Sequence, residues 1–382
     1  MLTSTTTNQH VIVLGLGIAG SSIAAKLAVR GYRVTAIEQF SPLHERGSSH
    51  GDTRIYRRIP HEGAPYVELA ARSLEGWREW SELAKEALLV QCGGIDAGPA
   101  ESPMVQSSEE LCMQYEQPFR ALSGSEFNRE SPHFCLPPNW RVIYQPSSGF
   151  VRPDATRTFL HRWAREFGAQ LLFNTPILGI EPLSNGVRVR IASETLECDH
   201  LVVAAGGWLP DLFPELGLSL SPERRVISWH SPLAENDAHR MPIFCLDADA
   251  GWYGMPTPDG RVKVGNDKHL RQAIDPNHPA APPGPEDVER ISGIWQYLTG
   301  FAEVPSEMKA CIYTVAPDQN FIIDRHPSHD NILIFSCCSG HGFKYAPVYG
   351  EIAADLLAAK PRPDLDTFRL NRPHNAITRF TS

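Results

Sequence analysis

No Cys-x-x-Cys pair occurs in the 382 residues, although eight cysteines are present. Zinc ribbons and thioredoxin-like chemistry need that spacing, so both are disfavoured and no metal site is expected. Basic residues are not in excess. Lys and Arg total 35 against 44 Asp and Glu, for a formal net charge of −9. General binders of nucleic acid or of anionic membrane carry the opposite sign, so neither partner is expected. No apolar run approaches the roughly 20 residues that span a bilayer. The first ten residues lack the basic start and apolar centre of a secretory signal, and the final Arg-Phe-Thr-Ser is no peroxisomal or retention address. A cytoplasmic protein is the expectation. No internal repeat is evident.

What is present suits two domains with a sizeable core. Val11 to Leu14 is a short apolar run of the kind buried on both faces in a parallel sheet. A glycine turn follows, then a helical stretch from about Ala19 to Arg30, ended by Gly31. Tyr32 to Glu38 reads as the second strand, completing a βαβ opening. The turn is Gly15-Leu16-Gly17-Ile18-Ala19-Gly20, a full GxGxxG. Gly15 permits the tight turn, Gly17 lets backbone approach a pyrophosphate, and Gly20 lets the helix lie close to the strand. The phosphates then face the N–H groups of the helix start, around Ile18 and Ala19. Glu38 stands where an acidic residue accepts hydrogen bonds from ribose hydroxyls, and its charge disfavours NADP. The motif alone leaves NAD and FAD open.

Further along, Pro65 to Ala84 and Arg152 to Phe167 carry helical patterns. Gln170–Phe173, Gly186–Ile191 and His200–Ala205 read as strands. Leu88 to Asn139 is irregular. Arg225 to Val264 alternates strand-like segments with turns, and Asp275–Gly284 is a proline-rich loop. A helix is expected from Pro285 to Leu298, strands at Ile312–Ile323 and Asn331–Phe335, and a helix from Gly340 to about Ala359.

Three further segments carry chemistry. They are Gly47-Ser-Ser-His-Gly-Asp-Thr-Arg-Ile-Tyr-Arg57, Lys309-Ala-Cys-Ile-Tyr-Thr-Val-Ala-Pro-Asp318 and Ser339-Gly-His-Gly-Phe-Lys344. With the GxGxxG, they make the chain resemble the monomeric sarcosine oxidase and N-methyltryptophan oxidase family over nearly its whole length, as far as Asn371-Arg372-Pro373. The resemblance implies an α/β fold. A Rossmann-type FAD-binding domain would take residues 1–85, 146–224 and 308–382. An antiparallel-sheet substrate domain would take 86–145 and 225–307.

It also implies FAD, attached through Cys311, whose thiolate would be the nucleophile. Cofactor contacts would come from Gly15, Gly17, Ile18, Ala19, Gly20 and Glu38. Ser49, His50, Thr53 and Arg54 would add to them, as would Gly340, His341, Gly342, Phe343 and Lys344. Arg57 and Lys344 match the family's carboxylate-binding pair, and an Arg fork suits a planar carboxylate. Lys263 matches the lysine held near flavin N5, where its charge favours electron transfer to O₂. Strand alternation by itself would make Lys263 an exposed lysine. Tyr253, Tyr313 and Thr314 match positions lining the substrate cavity.

One departure stands out. Members with sarcosine activity carry a histidine four residues after that lysine, where this chain has Asp267. An acid there suits a cationic substituent on the substrate; alternatively it points away and His269 comes near. The activity implied is oxidation of secondary amines, foremost N-methyl or cyclic α-amino acids. Hydride passes to flavin N5, O₂ becomes H₂O₂, and the imine hydrolyses, giving formaldehyde if the group was N-methyl. The partners implied are a small amino-acid-like amine and O₂, with the chain a monomer. Two alternatives stay open: an amine dehydrogenase using another electron acceptor, and a non-catalytic flavin-binding relative.

Overall fold

The computed structural model describes residues 7–233, 241–248, 250–267 and 272–372. His269 and Pro373 lie outside the described residues. The first sheet has six strands. Its order is Ile322–His326, His329–Ser336, His200–Val203, His10–Leu14, Arg33–Ile37 and Gln170–Leu172. All neighbours run parallel except the first pair, which is a hairpin. His10–Leu14 is buried at every residue, as its unbroken apolar run requires. Helices Ile18–Val29, Ala64–Ala84, Pro153–Glu166 and Ala346–Leu357 contribute to one core beside this sheet. A three-stranded antiparallel sheet of Ile177–Leu183, Gly186–Ile191 and Thr195–Cys198 shares the core on the other side.

The second large sheet has nine strands. Along its length come Gln272–Ala273, Ser221–His230, Val262–Asn266, Trp252–Pro256, Ile243–Leu246, Gly94–Gly98, Arg141–Gln145 and Arg120–Ser123. Glu307–Val315 also pairs with Ser221–His230, in unbroken register from Ser221 opposite Val315 to Trp229 opposite Glu307. The pairings are antiparallel except that of Ile243–Leu246 with Gly94–Gly98. The domain divisions at 224/225 and 307/308 therefore fall inside two paired strands of one sheet.

Three local expectations change. Ile312–Ile323 is not one strand. It splits into Glu307–Val315 and Ile322–His326, which belong to different sheets. Pro317 cannot donate to a ladder, and Gln319 sits at φ 56°, so the chain turns between them. The helix expected to reach Leu298 ends at Ser292 and continues as a 3₁₀ turn from Gly293 to Gln296. The irregular stretch after Leu88 contains the buried central strand Gly94–Gly98, whose sequence Gly-Ile-Asp-Ala-Gly carries no strand signal.

Candidate active site

The cavity opens at the glycine turn. Gly15 has φ +89°, and a Cβ there would lie 2.5 Å from the Ala204 carbonyl oxygen. A Cβ on Gly20 would lie 1.8 Å from the Gly15 oxygen, so Gly20 serves the strand–helix contact rather than the cavity. Gly17, at the helix start, lies under Ser49, whose Oγ accepts the Ile18 N–H at 3.0 Å. Glu38 accepts the N–H groups of Leu16 at 2.9 Å and Phe40 at 3.0 Å. Burial pushes its carboxyl upward, but His44 and these N–H groups outweigh burial and lower it. From here a cavity of about 1170 Å³ runs past Arg54 to Lys344. That exceeds the usual ~300–1,000 Å³ of a small-molecule pocket. It has room for a dinucleotide together with a second molecule.

Behind the cavity's middle wall stand groups that do not line it: His50, Thr53, Lys263 and Cys311. Thr314 is likewise buried, its N–H on the Cys338 sulfur at 3.4 Å. Lys263 lies on a strand buried at every residue, so the exposed position that alternation suggests does not arise. Its Nζ donates to Asp52 Oδ1 at 3.0 Å and to the Thr53 carbonyl at 2.8 Å. Burial, then the charge of Arg54, lowers its pKa to about 8 against the pull of Asp52. Arg54 donates to the carbonyls of Thr53 at 2.9 Å and Ser48 at 3.3 Å. His50 is buried with no hydrogen bond on either ring nitrogen, and burial with the nearby cations pushes its pKa down to about 2. The Cys311 thiol is raised by burial, with Arg54 and Lys263 pulling the other way.

The C-terminal wall is Gly340, His341, Gly342, Phe343 and Lys344. The His341 ring stacks on Phe321 with centroids 4.8 Å apart. Beyond it lies a buried ionic network. Arg57 Nη1 donates to Asp96 Oδ1 at 3.0 Å and also meets His61; Nη2 donates to Glu62 Oε1 at 3.2 Å. Lys344 Nζ donates to the same Glu62 oxygen at 2.8 Å and to the His341 carbonyl at 3.1 Å. Burial opposes the charge on Glu62, but Lys344 and Arg57 hold its carboxyl well below the usual range. Burial lowers Lys344 to about 8 despite Glu62.

Two cations therefore face two carboxylates. The pair singled out in the sequence is brought together, but it is already neutralised. Glu62 and Asp96 carry no signal in the sequence because each is a lone acid among turn-forming residues. Lys344 is 282 residues from Glu62, and Arg57 is 39 from Asp96, although Arg57 precedes Glu62 by only five.

Tyr253 and Tyr313 touch through their hydroxyls at 3.2 Å. The cavity continues past them to Trp140, Trp252, Tyr297, Asp247 and Asp267. Asp267 is exposed on this wall, with its N–H on the Gly251 carbonyl at 2.9 Å. Among the described residues no group of three or more His, Cys, Asp or Glu is placed to hold a metal, and no helix is long and apolar enough to cross a membrane.

The glycine turn, the helix start that lines the cavity, Glu38 and the length of the cavity fit FAD. The family model described as DAO, FAD dependent oxidoreductase, matches residues 10–356. The chain is 33% identical over 372 residues to an N-methyl-L-tryptophan oxidase of Yersinia pestis (strain Pestoides F), covering 96% of this chain and 99% of that protein. Among solved structures it is similar to NikD, an amino acid oxidase essential for nikkomycin biosynthesis. The TM-score is 0.84 at 21% identity, over 95% of this chain and 98% of that one. It is also similar to L-proline dehydrogenase from P. horikoshii, with TM-score 0.81 at 22% identity, over 96% and 97%. These two likenesses speak for the fold. By the family match and the relative together, the chain is an enzyme and belongs to the DAO family of FAD-dependent oxidoreductases.

Proposed function

We propose that this enzyme is an oxidase of secondary α-amino acids, N-methylated or cyclic, that passes their electrons to O₂. One observation carries the reading. Two buried cations, Arg57 and Lys344, line one end of a cavity whose other end is a dinucleotide cradle. Cations in that place suit a carboxylate whose neighbouring carbon then lies toward the cofactor. When bound, FAD supplies the electron acceptor for the amine carbon.

The chain's residues do the rest. Arg57 and Lys344 hold the carboxylate, with Glu62 giving way to it, because a third carboxylate would otherwise enter a network already at balance. Tyr253 and Tyr313 wall the reacting carbon from water. Lys263, fixed by Asp52 and Thr53, keeps a positive charge where O₂ is reduced. The N-methyl-L-tryptophan oxidase relative supports an N-methylated substrate, and the aromatic chamber of Trp140, Trp252 and Tyr297 suits a bulky side chain.

The same reading gives Cys311 the covalent bond to FAD. It makes the chain a monomer of the cytoplasm. It divides the chain into an FAD-binding part and a substrate part near the limits set out above, with Ser221–His230 and Glu307–Val315 both on the substrate side. The test is an aerobic screen of N-methyl amino acids, proline, pipecolate and larger N-substituted amino acids, following H₂O₂ and substrate together. Peroxide in step with substrate loss is expected. Substrate loss without peroxide favours a dehydrogenase, and no flavin bleaching with any compound overturns the reading. For the thiol, acid precipitation should leave the yellow colour in the pellet of wild type and release it from Cys311→Ser.

A further inference from the structure

Arg57 has three kinds of nitrogen, and they are used unequally. Nη1 is taken by Asp96 and His61, and Nη2 by Glu62. Nε is buried and has no hydrogen-bond partner. A buried guanidinium N–H without an acceptor is unfavourable in the resting protein. It is satisfied when an oxygen arrives. A planar carboxylate that bonds Nε and Nη2 side-on meets the fork geometry Arg favours. The Nε–Nη2 edge is therefore the edge left for a ligand, half occupied by Glu62.

The two acids in this network are not equivalent. Glu62 comes from the segment between Arg57 and the helix Ala64–Ala84. Asp96 lies in a central strand with neighbours paired on both sides, and its side chain is wholly buried. Its Oδ2 is anchored by the Ser108 hydroxyl at 2.6 Å and approached by Gln145 Nε2 at 3.4 Å. Its Oδ1 accepts from Arg57, with His61 Nδ1 3.9 Å away. Ile95 and Ala97 beside it are ordinary core residues. A charge at this depth in a strand is expensive, and an apolar residue would serve packing better. Holding a guanidinium by one corner, from a rigid element, is a use that justifies it.

We propose that Asp96 is the positioning residue that fixes the Nη1 corner of Arg57 and so turns its Nε–Nη2 edge toward the substrate carboxylate. This rests on the oxidase reading only in naming the ligand. The experiment compares wild type with Asp96→Asn and Asp96→Ala as FAD-loaded enzymes. The substrates are N-methyl-L-tryptophan and N-methyltryptamine, which differ by the carboxylate alone. KM for the amino acid should rise about tenfold in Asp96→Asn and about a hundredfold in Asp96→Ala, the losses of one weakened and one broken charge-assisted contact. The limiting rate of flavin reduction should change far less, and turnover of the amine should fall much less than that of the amino acid.

Crystal structures of the same variants should show Arg57 turned away from its present plane. If a variant fails to fold, Ser108→Ala, which frees Oδ2, should raise KM in the same direction by a few-fold. Equal losses on both substrates, or an unmoved Arg57 with unchanged KM, overturn the proposal. If wild type bleaches with neither compound nor any other in the screen, the oxidase reading fails instead. The orientation of Arg57 in the crystal then still decides whether Asp96 positions it.

Discussion

The nucleotide end of the cavity is assembled from backbone between Gly15 and Glu38, and the carboxylate end from side chains on three separated segments. At the first end, glycines make room, and the N–H groups of Leu16 and Ile18 are held by Glu38 and Ser49. At the second, Arg57, Glu62, Asp96 and Lys344 come from loop, helix approach, central strand and 3₁₀ turn. Backbone recognition has a sequence signature because the missing side chain is itself the signal. Side-chain recognition of this kind has none, because charge partners are chosen by the fold.

The largest effect should come from breaking the first end. A Gly20→Val substitution puts a branched side chain where even a Cβ meets the Gly15 oxygen. We expect protein without FAD, or none that folds, measured as the ratio of flavin to protein absorbance. Gly168→Ala is the control: its φ is positive, so the substitution is strained, but nothing lies within 4 Å of its Cβ and it is far from the glycine turn in sequence, so flavin content should hold. Loss of flavin in both would mean that general destabilisation, not the crowded turn, decides.

Next is Lys263, buried behind the wall between the two ends. Lys263→Met should slow reoxidation of the reduced enzyme by O₂ on the order of a hundredfold, with flavin reduction little changed. Stopped-flow traces of the two half-reactions decide it, and equal slowing of both counts against the assigned role. The pH dependence follows from its pKa of about 8. Below that pH the ammonium is charged and assists; above it the charge is lost. Wild-type reoxidation should therefore fall as pH rises through about 8, and the Met variant should show no such step.

A smaller effect should sharpen the second end. Glu62→Gln removes the charge that competes with a substrate carboxylate. We expect carboxylate ligands to bind about tenfold tighter, or about 1.4 kcal/mol. The ligand-free protein should unfold at lower denaturant, since Arg57 and Lys344 lose their shared partner. Weaker ligand binding in a folded variant would show that Glu62 holds the clamp in shape rather than standing in its place. The smallest effect belongs to Asp267, exposed on the cavity wall. Asp267→Asn should shift the preference between neutral and cationic side chains by about threefold in kcat/KM, in line with the small worth of an exposed charge. An unchanged ranking would remove it from substrate choice.

Much of the fold was legible. Long periodic segments such as Ala64–Ala84 read correctly, because an amphipathic helix repeats its apolar positions: Tyr66, Leu69, Leu74, Trp77 and Trp80 are all buried. Gly94–Gly98 was not legible, because a fully buried strand with glycine at both ends has no alternation to show. Lys263 reads as exposed from its strand pattern, and burial on both faces removes that pattern's meaning.

Of the site, Arg57 and Lys344 were found by motif and not by any local property. Glu62 and Asp96, which fix what those cations do in the resting enzyme, left no trace in the sequence. By itself the sequence determined the βαβ opening, its glycine turn and Glu38, since these depend on residues adjacent in the chain and on space that only glycine leaves. The tertiary structure alone decided the charge state of the other end. A buried ion pair is settled by which groups the sheets and turns bring into contact, and no spacing along the chain records that distance.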